Sequence, residues 1–131
     1  MAVYRVRSFS RWARKQRLSD SALCDAVREM RRGVYEADLG GGLLKKRIAR
    51  PGQGKRGGFR TIVATKNGDR WFFLYGFAKN ERANIDHEEE AALKKYGNTL
   101  LTIPTASLAK AESTGEITKV KCDGEETLKN S

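Results

Sequence analysis

The sequence is poor in the side chains that supply most acid–base and metal chemistry. Its 131 residues include a single histidine, His87, and two cysteines, Cys24 and Cys122, which lie far apart. One histidine excludes a catalytic histidine pair and a multi-histidine metal site. The cysteines match no metal-ligand spacing and indicate no disulfide framework, so we expect two inert thiols in a reducing compartment.

Long apolar runs are absent as well. No stretch approaches the roughly 20 residues needed to cross a bilayer, and the basic residues 1–17 lack the apolar stretch of a secretory signal. We therefore predict a cytoplasmic protein without a membrane partner. A chain of 131 residues is long enough for one domain with its own core.

Positive charge is what the sequence has in excess. Lysines and arginines number 26 against 16 aspartates and glutamates, which gives a formal net charge of +10. Residues 1–85 hold 20 basic and 7 acidic side chains, a net +13, and residues 86–131 hold 6 and 9, a net −3. A field of this size attracts polyanions, so the predicted partner is a nucleic acid. The alternative is a basic protein with scattered surface lysines.

Apolar periodicity predicts an α+β fold in which an antiparallel β-sheet packs against an N-terminal helical hairpin and a C-terminal helix. The predicted elements are a strand at 2–7, two helices ending before Gly33, strands at 43–50, 59–65 and 70–77, and a helix from Asp86 to about Leu101. The glycine-rich residues 38–42 are expected to interrupt regular structure.

Local signals support several of these elements. Ser19 is a candidate N-cap for the second helix. The dipeptide Asn67-Gly68 is typical of a tight hairpin turn. Asp86 followed by Glu89 matches a capping box at the start of the last long helix.

We divide the chain into a domain at residues 1–104 and an extension at residues 105–131, because Pro104 ends the last long helix. Within the extension, we predict a short helix at residues 106–111 and a weak edge strand at residues 116–121. Residues 124–131 are polar, and we expect a disordered tail there.

A basic hairpin is the strongest candidate for chemistry. Strand alternation places Lys45 and Arg47 on one face and Lys46 on the other. Arg60 on the next strand and Lys79 after the last one would complete a cationic concavity. Such a surface suits RNA cleavage, because a lysine whose cationic neighbours favour its neutral form can accept the proton of the 2′-hydroxyl. Arginines can stabilise the charge that grows on the phosphate.

Further residues are predicted to bind the RNA without reacting. The cations are Lys46, Arg50, Lys55, Arg56 and Arg82, and the aromatic residues on which bases can stack are Phe59, Tyr75 and Phe77. A binding surface without turnover would have the same composition. Spacing alone does not separate the two interpretations.

Two segments carry a resemblance to a known family. Residues 39–62, LGGGLLKKRIARPGQGKRGGFRTI, and residues 73–85, FLYGFAKNERANI, resemble the HigB-like toxins of the RelE superfamily, found in type II toxin–antitoxin systems. The similarity spans about residues 3–103. The resemblance implies a RelE-like fold, ribosome-dependent cutting of messenger RNA in the A site, no metal or cofactor, and a cognate HigA-like helix-turn-helix antitoxin.

The resemblance also implies roles for single residues. Arg60 follows a Gly-aromatic pair, where RelE-like toxins keep their transition-state arginine. The preceding strand supplies Lys45 or Lys46 as the base and Arg47 as a phosphate ligand, and Lys79 takes the position of a cation that stabilises the leaving group. The C-terminal catalytic tyrosine of some relatives has no counterpart, because Tyr96 falls within the predicted third helix.

Two other functions are open to this sequence. A ParE-like relative would share the scaffold and poison DNA gyrase through a protein interface, and a nucleic-acid-binding module would bind without cleaving. The cations of the basic hairpin favour RNA cleavage, because a gyrase-binding toxin needs no catalytic cations. The predicted activity is therefore that of a metal-independent endoribonuclease that inhibits translation.

Overall fold

A computed structural model describes residues 1–52 and 58–122 of the chain. The elements in chain order are β1 (Ala2–Val6), α1 (Arg7–Lys15), α2 (Asp20–Arg31), β2 (Ala37–Gly40), β3 (Leu43–Ile48), β4 (Phe59–Lys66), β5 (Arg70–Ala78), α3 (His87–Thr102), α4 (Thr105–Ser113) and β6 (Ile117–Lys119). They form one mixed sheet in the order β2-β3-β4-β5-β1-β6. The predicted α+β class is confirmed. None of the helices in these two ranges is long and apolar enough to cross a membrane.

The first strand departs from the predicted antiparallel sheet. β1 pairs in parallel with β5, with Val3 opposite Trp71 and Tyr4 opposite Phe72. The remaining pairings are antiparallel, including that of β1 with β6. The direction of β1 depends on a partner almost 70 residues away in the chain, which local alternation does not encode.

The glycine-rich segment also differs from its prediction. Residues 37–40 form the edge strand β2, which pairs with β3 and shifts register between Asp38 and Gly40. The reversal into β3 uses Gly41 and Gly42, whose φ angles are 63° and 83°. A Cβ atom on Gly42 would lie 2.7 Å from the carbonyl oxygen of Thr65, so only glycine fits there. The glycines therefore make a turn between two strands rather than interrupting the sheet.

Helices cover both faces of the sheet. On one face, the Trp12 ring of α1 lies so close to Gly76 that a Cβ atom there would come within 2.2 Å of the ring. On the other face, a Cβ atom on Gly97 of α3 would lie 2.9 Å from the Cβ of Ala64. Two glycines, one in the sheet and one in a helix, thus allow close packing on opposite faces.

Most local signals are confirmed. The Ser19 hydroxyl accepts a hydrogen bond from the Ala22 amide, and Asp86 and Glu89 form both bonds of a capping box. Asn67 and Gly68 both have positive φ, as a tight hairpin requires. The short helix and edge strand predicted after Pro104 are α4 and β6.

Two predictions about the extension are not tested. The predicted tail at residues 124–131 lies outside the described residues. The domain boundary at residue 104 stays a prediction, although β6 beyond it pairs with β1.

The prediction of two inert thiols is wrong. Cys24 and Cys122 form a disulfide, with their Cα atoms 5.6 Å apart. Cys24 lies on the buried side of α2, and the chain after β6 runs beside β1, where the Val120 amide donates to the Val3 carbonyl. A separation of 98 residues hid this pairing from rules that rely on cysteine spacing. The cysteines therefore provide no argument for a reducing compartment.

The disulfide should contribute measurably to stability. It closes a loop of 98 residues, and bonds that close long loops typically contribute about 2–4 kcal/mol to the free energy of unfolding. We expect Cys122→Ala to lower that free energy by about this amount in denaturant melts. Dithiothreitol should destabilise the wild-type protein to a similar extent and leave Cys122→Ala unchanged. Equal stability of the oxidised, reduced and substituted proteins would contradict the bond.

Candidate functional site

Three of the cations predicted to act on RNA meet on one face of the sheet. Arg60 of β4 lies directly opposite Arg47 of β3 and opposite Phe77 of β5. Directly opposed residues share a face, and Lys45 shares it too because it is two positions from Arg47. Tyr75 joins them by its pairing with Ile62. This is the face that α3 covers at the other end of β3 and β4.

A carboxylate lies at the centre of these cations. The Arg60 Nε lies 2.8 Å from Glu36 Oε2, and the Lys45 Nζ lies 3.8 Å from the same oxygen. The Arg47 Nη2 lies 3.7 Å from Oε1. We name Lys45, Arg47, Arg60 and Glu36 the Glu36 cluster. It brings together three of the four residues that the sequence analysis proposes as catalytic.

Sequence reasoning missed Glu36. The residue lies at a bend directly before β2, where its amide donates to the Lys45 carbonyl at 2.8 Å. The sequence predicts no strand at residues 37–40, so nothing in it places the neighbouring Glu36 beside β3. The Gly41-Gly42 turn was the available signal, because a tight turn before β3 brings the preceding residues back alongside that strand.

Arg60 is buried and only partly paired. The residue is 1% exposed, and its Nη1 has no hydrogen-bond partner among residues 1–52 and 58–122. A buried donor without a partner costs free energy, and functional sites are where such costs persist. Since the guanidinium, its unmet donor and two further cations lie together, the arrangement can bind an anion such as a phosphate.

Lys46 points away from this cluster, as strand alternation predicts. It is 3% exposed, its Nζ lies 2.6 Å from Glu29 Oε1, and it donates to the Val34 carbonyl at 3.0 Å. Glu29 belongs to α2, so Lys46 joins β3 to the helix on the opposite face. The assignment of Lys46 to RNA binding does not fit this buried position, and Lys45 is the base candidate that remains.

Phe59 and Arg50 differ from their predicted roles as well. Phe59 is buried with the Trp12 ring edge-on to it at 5.2 Å between centroids, so it lies on the α1 face. The Arg50 guanidinium carbon lies 5.0 Å from the centre of the Phe59 ring. A buried ring that is already covered cannot stack on RNA bases. We therefore leave Phe59 out of the RNA surface.

Arg82 covers the aromatic residues next to the cluster. Its guanidinium carbon lies 5.7 Å from the Phe77 ring centre and 6.0 Å from that of Tyr75. Arg82 Nη1 donates to the Tyr75 hydroxyl at 3.1 Å and to Glu89 Oε2 at 3.0 Å. The Arg82 hydrogen bond, assisted by the backbone amide of Asp86, holds the pKa of Glu89 at about 2. Arg82 is thus tied to the start of α3.

The remaining predicted residues lie at the margin of the site. Lys79 is exposed just after β5, and its amide donates to the carbonyl of Gly58, two residues before Arg60. Lys55 and Arg56 lie outside the described residues. Tyr96 lies within α3, where burial is the main cause that raises its pKa.

These features define a class of protein: a basic α+β protein whose mixed sheet carries three cations around a carboxylate on paired strands. Residues 1–120 match the family described as the RelE toxin of the RelE / RelB toxin-antitoxin system. The chain therefore belongs to the RelE family of toxins. No curated protein matches the sequence.

Substitutions of the two adjacent lysines should affect stability and activity differently. Lys46→Ala removes a buried ammonium with two partners, so we expect it to lower the free energy of unfolding by about 1–3 kcal/mol. Lys45→Ala removes a longer-range ion pair and should cost less than about 1 kcal/mol. Urea melts measure both values, and growth assays should show the larger loss of toxicity per folded molecule in Lys45→Ala. The reverse order of stabilities would contradict the assignment of faces.

The Arg82–Glu89 pair should depend on pH. The pKa of Glu89 is lowered from 4.5 to about 2 in the folded protein, so its stabilising contribution is complete above about pH 4.5 and is lost as the pH falls towards 2. Glu89→Gln should therefore lower the melting temperature near neutral pH and have little effect near pH 2. Glu88→Gln, at an exposed acid in the same turn, is the control. A difference in melting temperature between the wild-type protein and Glu89→Gln that does not change with pH would refute this linkage.

Proposed function

We propose that this RelE-family toxin is a ribosome-dependent endoribonuclease that cuts messenger RNA in the A site. The observation that carries the proposal is the buried Arg60 guanidinium, whose Nη1 lacks a partner among the described residues while Lys45 and Arg47 lie beside it. A phosphate supplies several acceptor oxygens and the negative charge that these donors require.

The proposed reaction uses residues of the Glu36 cluster and one neighbour. The 2′-hydroxyl oxygen attacks the adjacent phosphorus, its proton passes to Lys45 in the neutral amine form, and the bond from phosphorus to the 5′-oxygen breaks to leave a 2′,3′-cyclic phosphate. Arg60 and Arg47 stabilise the negative charge that grows on the phosphate oxygens. Lys79, exposed just after β5, stabilises the departing 5′-oxygen by donating a proton to it, so that it leaves as a hydroxyl. The step needs no metal or redox cofactor.

The ribosome supplies what the protein lacks. The only histidine, His87, begins α3, and it is not among the residues of the cluster. A site that relies on cations is a weak catalyst alone, because strong general acids and bases with pKa values near neutrality perform proton transfer best. Holding the 2′-oxygen in line with the phosphorus can contribute about 7–11 kcal/mol of the barrier, which the decoding site would provide by orienting the message.

The family places this toxin beside an antitoxin, and we propose a HigA-like helix-turn-helix protein as that partner. The net +13 of residues 1–85 favours an antitoxin segment rich in acidic residues. Such a segment would neutralise the surface that binds RNA.

The test is a primer-extension time course on one message, either free or bound to ribosomes. We expect cleavage in the A site at least about a hundredfold faster than on free RNA, well within the orientation contribution. Arg60→Lys is the blank, because it keeps the charge and loses the planar fork of donors at a buried position. It should reduce cleavage at least about a hundredfold while remaining folded in a thermal melt.

Two outcomes would contradict the proposal. Equal rates on the two substrates would indicate a free ribonuclease. Absence of cleavage on both, with growth arrest intact, would favour a gyrase poison.

A further inference from the structure

The Glu36 cluster is occupied by the protein's own carboxylate. The three cations to which the proposed function assigns the phosphate and the 2′-hydroxyl are the three that lie around Glu36. Its Oε2 contacts Arg60 and Lys45, and its Oε1 faces Arg47. A carboxylate and a phosphate are both anions that accept hydrogen bonds from arginine, so the two compete for the same donors.

The cations and the carboxylate are held very differently. Arg60 belongs to a central strand paired on both sides, and Arg47 and Lys45 belong to its neighbour β3. Glu36 lies at a bend outside the strands and follows two exposed apolar residues, Val34 at 50% and Tyr35 at 38% exposure. The cations therefore stand on paired strands, whereas the Glu36 side chain is partly exposed and its backbone is joined to β3 by the hydrogen bond to Lys45.

Space for such a movement lies next to the carboxylate. A cavity of about 280 Å³ is lined by Val34, Tyr35, Glu36, Lys46 and Arg47. Rotation of the Glu36 side chain into this cavity would remove the carboxylate from Arg60 without a change in the pairing of β3 with β4. Because β2 lies at the edge of the sheet, a shift of the bend at Glu36 would disturb only the pairing of β2 with β3.

We propose that Glu36 is an internal anion that occupies the phosphate position and must leave Arg60 before RNA can bind. The inference rests on the proposed function for the identity of the phosphate, and it assigns Glu36 a regulatory contact rather than a catalytic one. While it is in place, Glu36 lowers the affinity of the free toxin for polyanions. A phosphate that the ribosome presents at high local concentration displaces it.

Binding of an RNA that cannot be cut tests this contact apart from catalysis. The probe is a fluorescent 2′-O-methyl RNA oligonucleotide, whose anisotropy reports the dissociation constant for the purified full-length protein. Glu36→Gln removes the competing charge and should lower that constant about tenfold, within the strength of a charge-assisted hydrogen bond. Glu90→Gln is the matched control, because it changes the net charge equally and its partner is Lys94 on α3. Its constant should stay within about twofold of the wild-type value.

A second substitution separates position from charge. Glu36→Asp keeps the negative charge and shortens the side chain by one methylene group, so the contact with Arg60 at 2.8 Å is lost. We expect its dissociation constant to fall several-fold below the wild-type value. A long-range charge effect would leave it unchanged. Unchanged or weaker binding in both Glu36 variants would overturn the proposal.

A measurement on the unsubstituted protein covers the case in which a variant unfolds. The Arg60 Nε–H resonance should shift during titration with inorganic phosphate in a nitrogen-15 spectrum, as phosphate replaces Glu36 beside it. No shift at saturating phosphate would overturn the proposal.

The two proposals fail in distinguishable ways. If the wild-type protein cuts messenger RNA on the ribosome while Glu36→Gln binds the probe no more tightly, the internal anion is wrong and the nuclease stands. If Glu36→Gln binds more tightly while no protein cuts RNA on the ribosome, the internal anion stands and the nuclease is wrong.

Discussion

The ion pair between Arg60 and Glu36 is the contact on which the arrangement of the site depends. A guanidinium that is 1% exposed has lost nearly all of its hydration, and an uncompensated charge at that depth would be strongly destabilising. Glu36 supplies the compensating charge from a bend that the chain reaches only because β2 folds back on β3. The edge strand, the glycine turn and the cluster are therefore parts of one arrangement. Loss of the β2 pairing would leave Arg60 buried without its counter-charge.

The sheet register converts sequence spacing into the geometry of the cluster. Strand alternation sends Lys45 towards Glu36 and Lys46 towards Glu29 of α2, so two adjacent lysines serve different purposes. The pairing of Arg47 with Arg60 then puts two guanidiniums side by side, an arrangement that repels unless an anion lies between them. In the free protein that anion is Glu36. The repulsion between the cations is a reason for the site to retain an anion at all times.

Local chemistry made part of this structure predictable. The Asn67-Gly68 turn, the Ser19 cap and the Asp86–Glu89 capping box follow from residues within four positions of one another. The opposite faces of Lys45 and Lys46 follow from alternation alone. The long-range features were not accessible in this way. The parallel pairing of β1 with β5 and the bond from Cys24 to Cys122 depend on how distant segments meet.

In the candidate site, too, the features set by local sequence were predictable and those set by distant segments were not. The sequence indicated Lys45, Arg47 and Arg60 as neighbours, because two adjacent strands and their charges are enough for that inference. It did not indicate Glu36, whose place depends on the unrecognised strand β2. The sequence also predicted Phe59 on the RNA surface, because an aromatic residue in a strand does not indicate whether a helix or solvent covers it. The side of the sheet that α1 covers is set by packing across the whole domain.

The presence of Glu36 adds to the proposed dependence on the ribosome. In the proposed mechanism, orientation of the 2′-hydroxyl by the ribosome compensates for the lack of a histidine base. The proposed competition with an internal anion adds an independent reason, because free RNA would have to displace the carboxylate at its own low concentration. A message held in the A site would present its phosphate at a much higher effective concentration, so the same displacement would become favourable. The two proposed effects would act on different steps: orientation would lower the chemical barrier, and displacement of Glu36 would govern binding. The ribosome would thus act on both steps, through a carboxylate that never touches the reacting atoms.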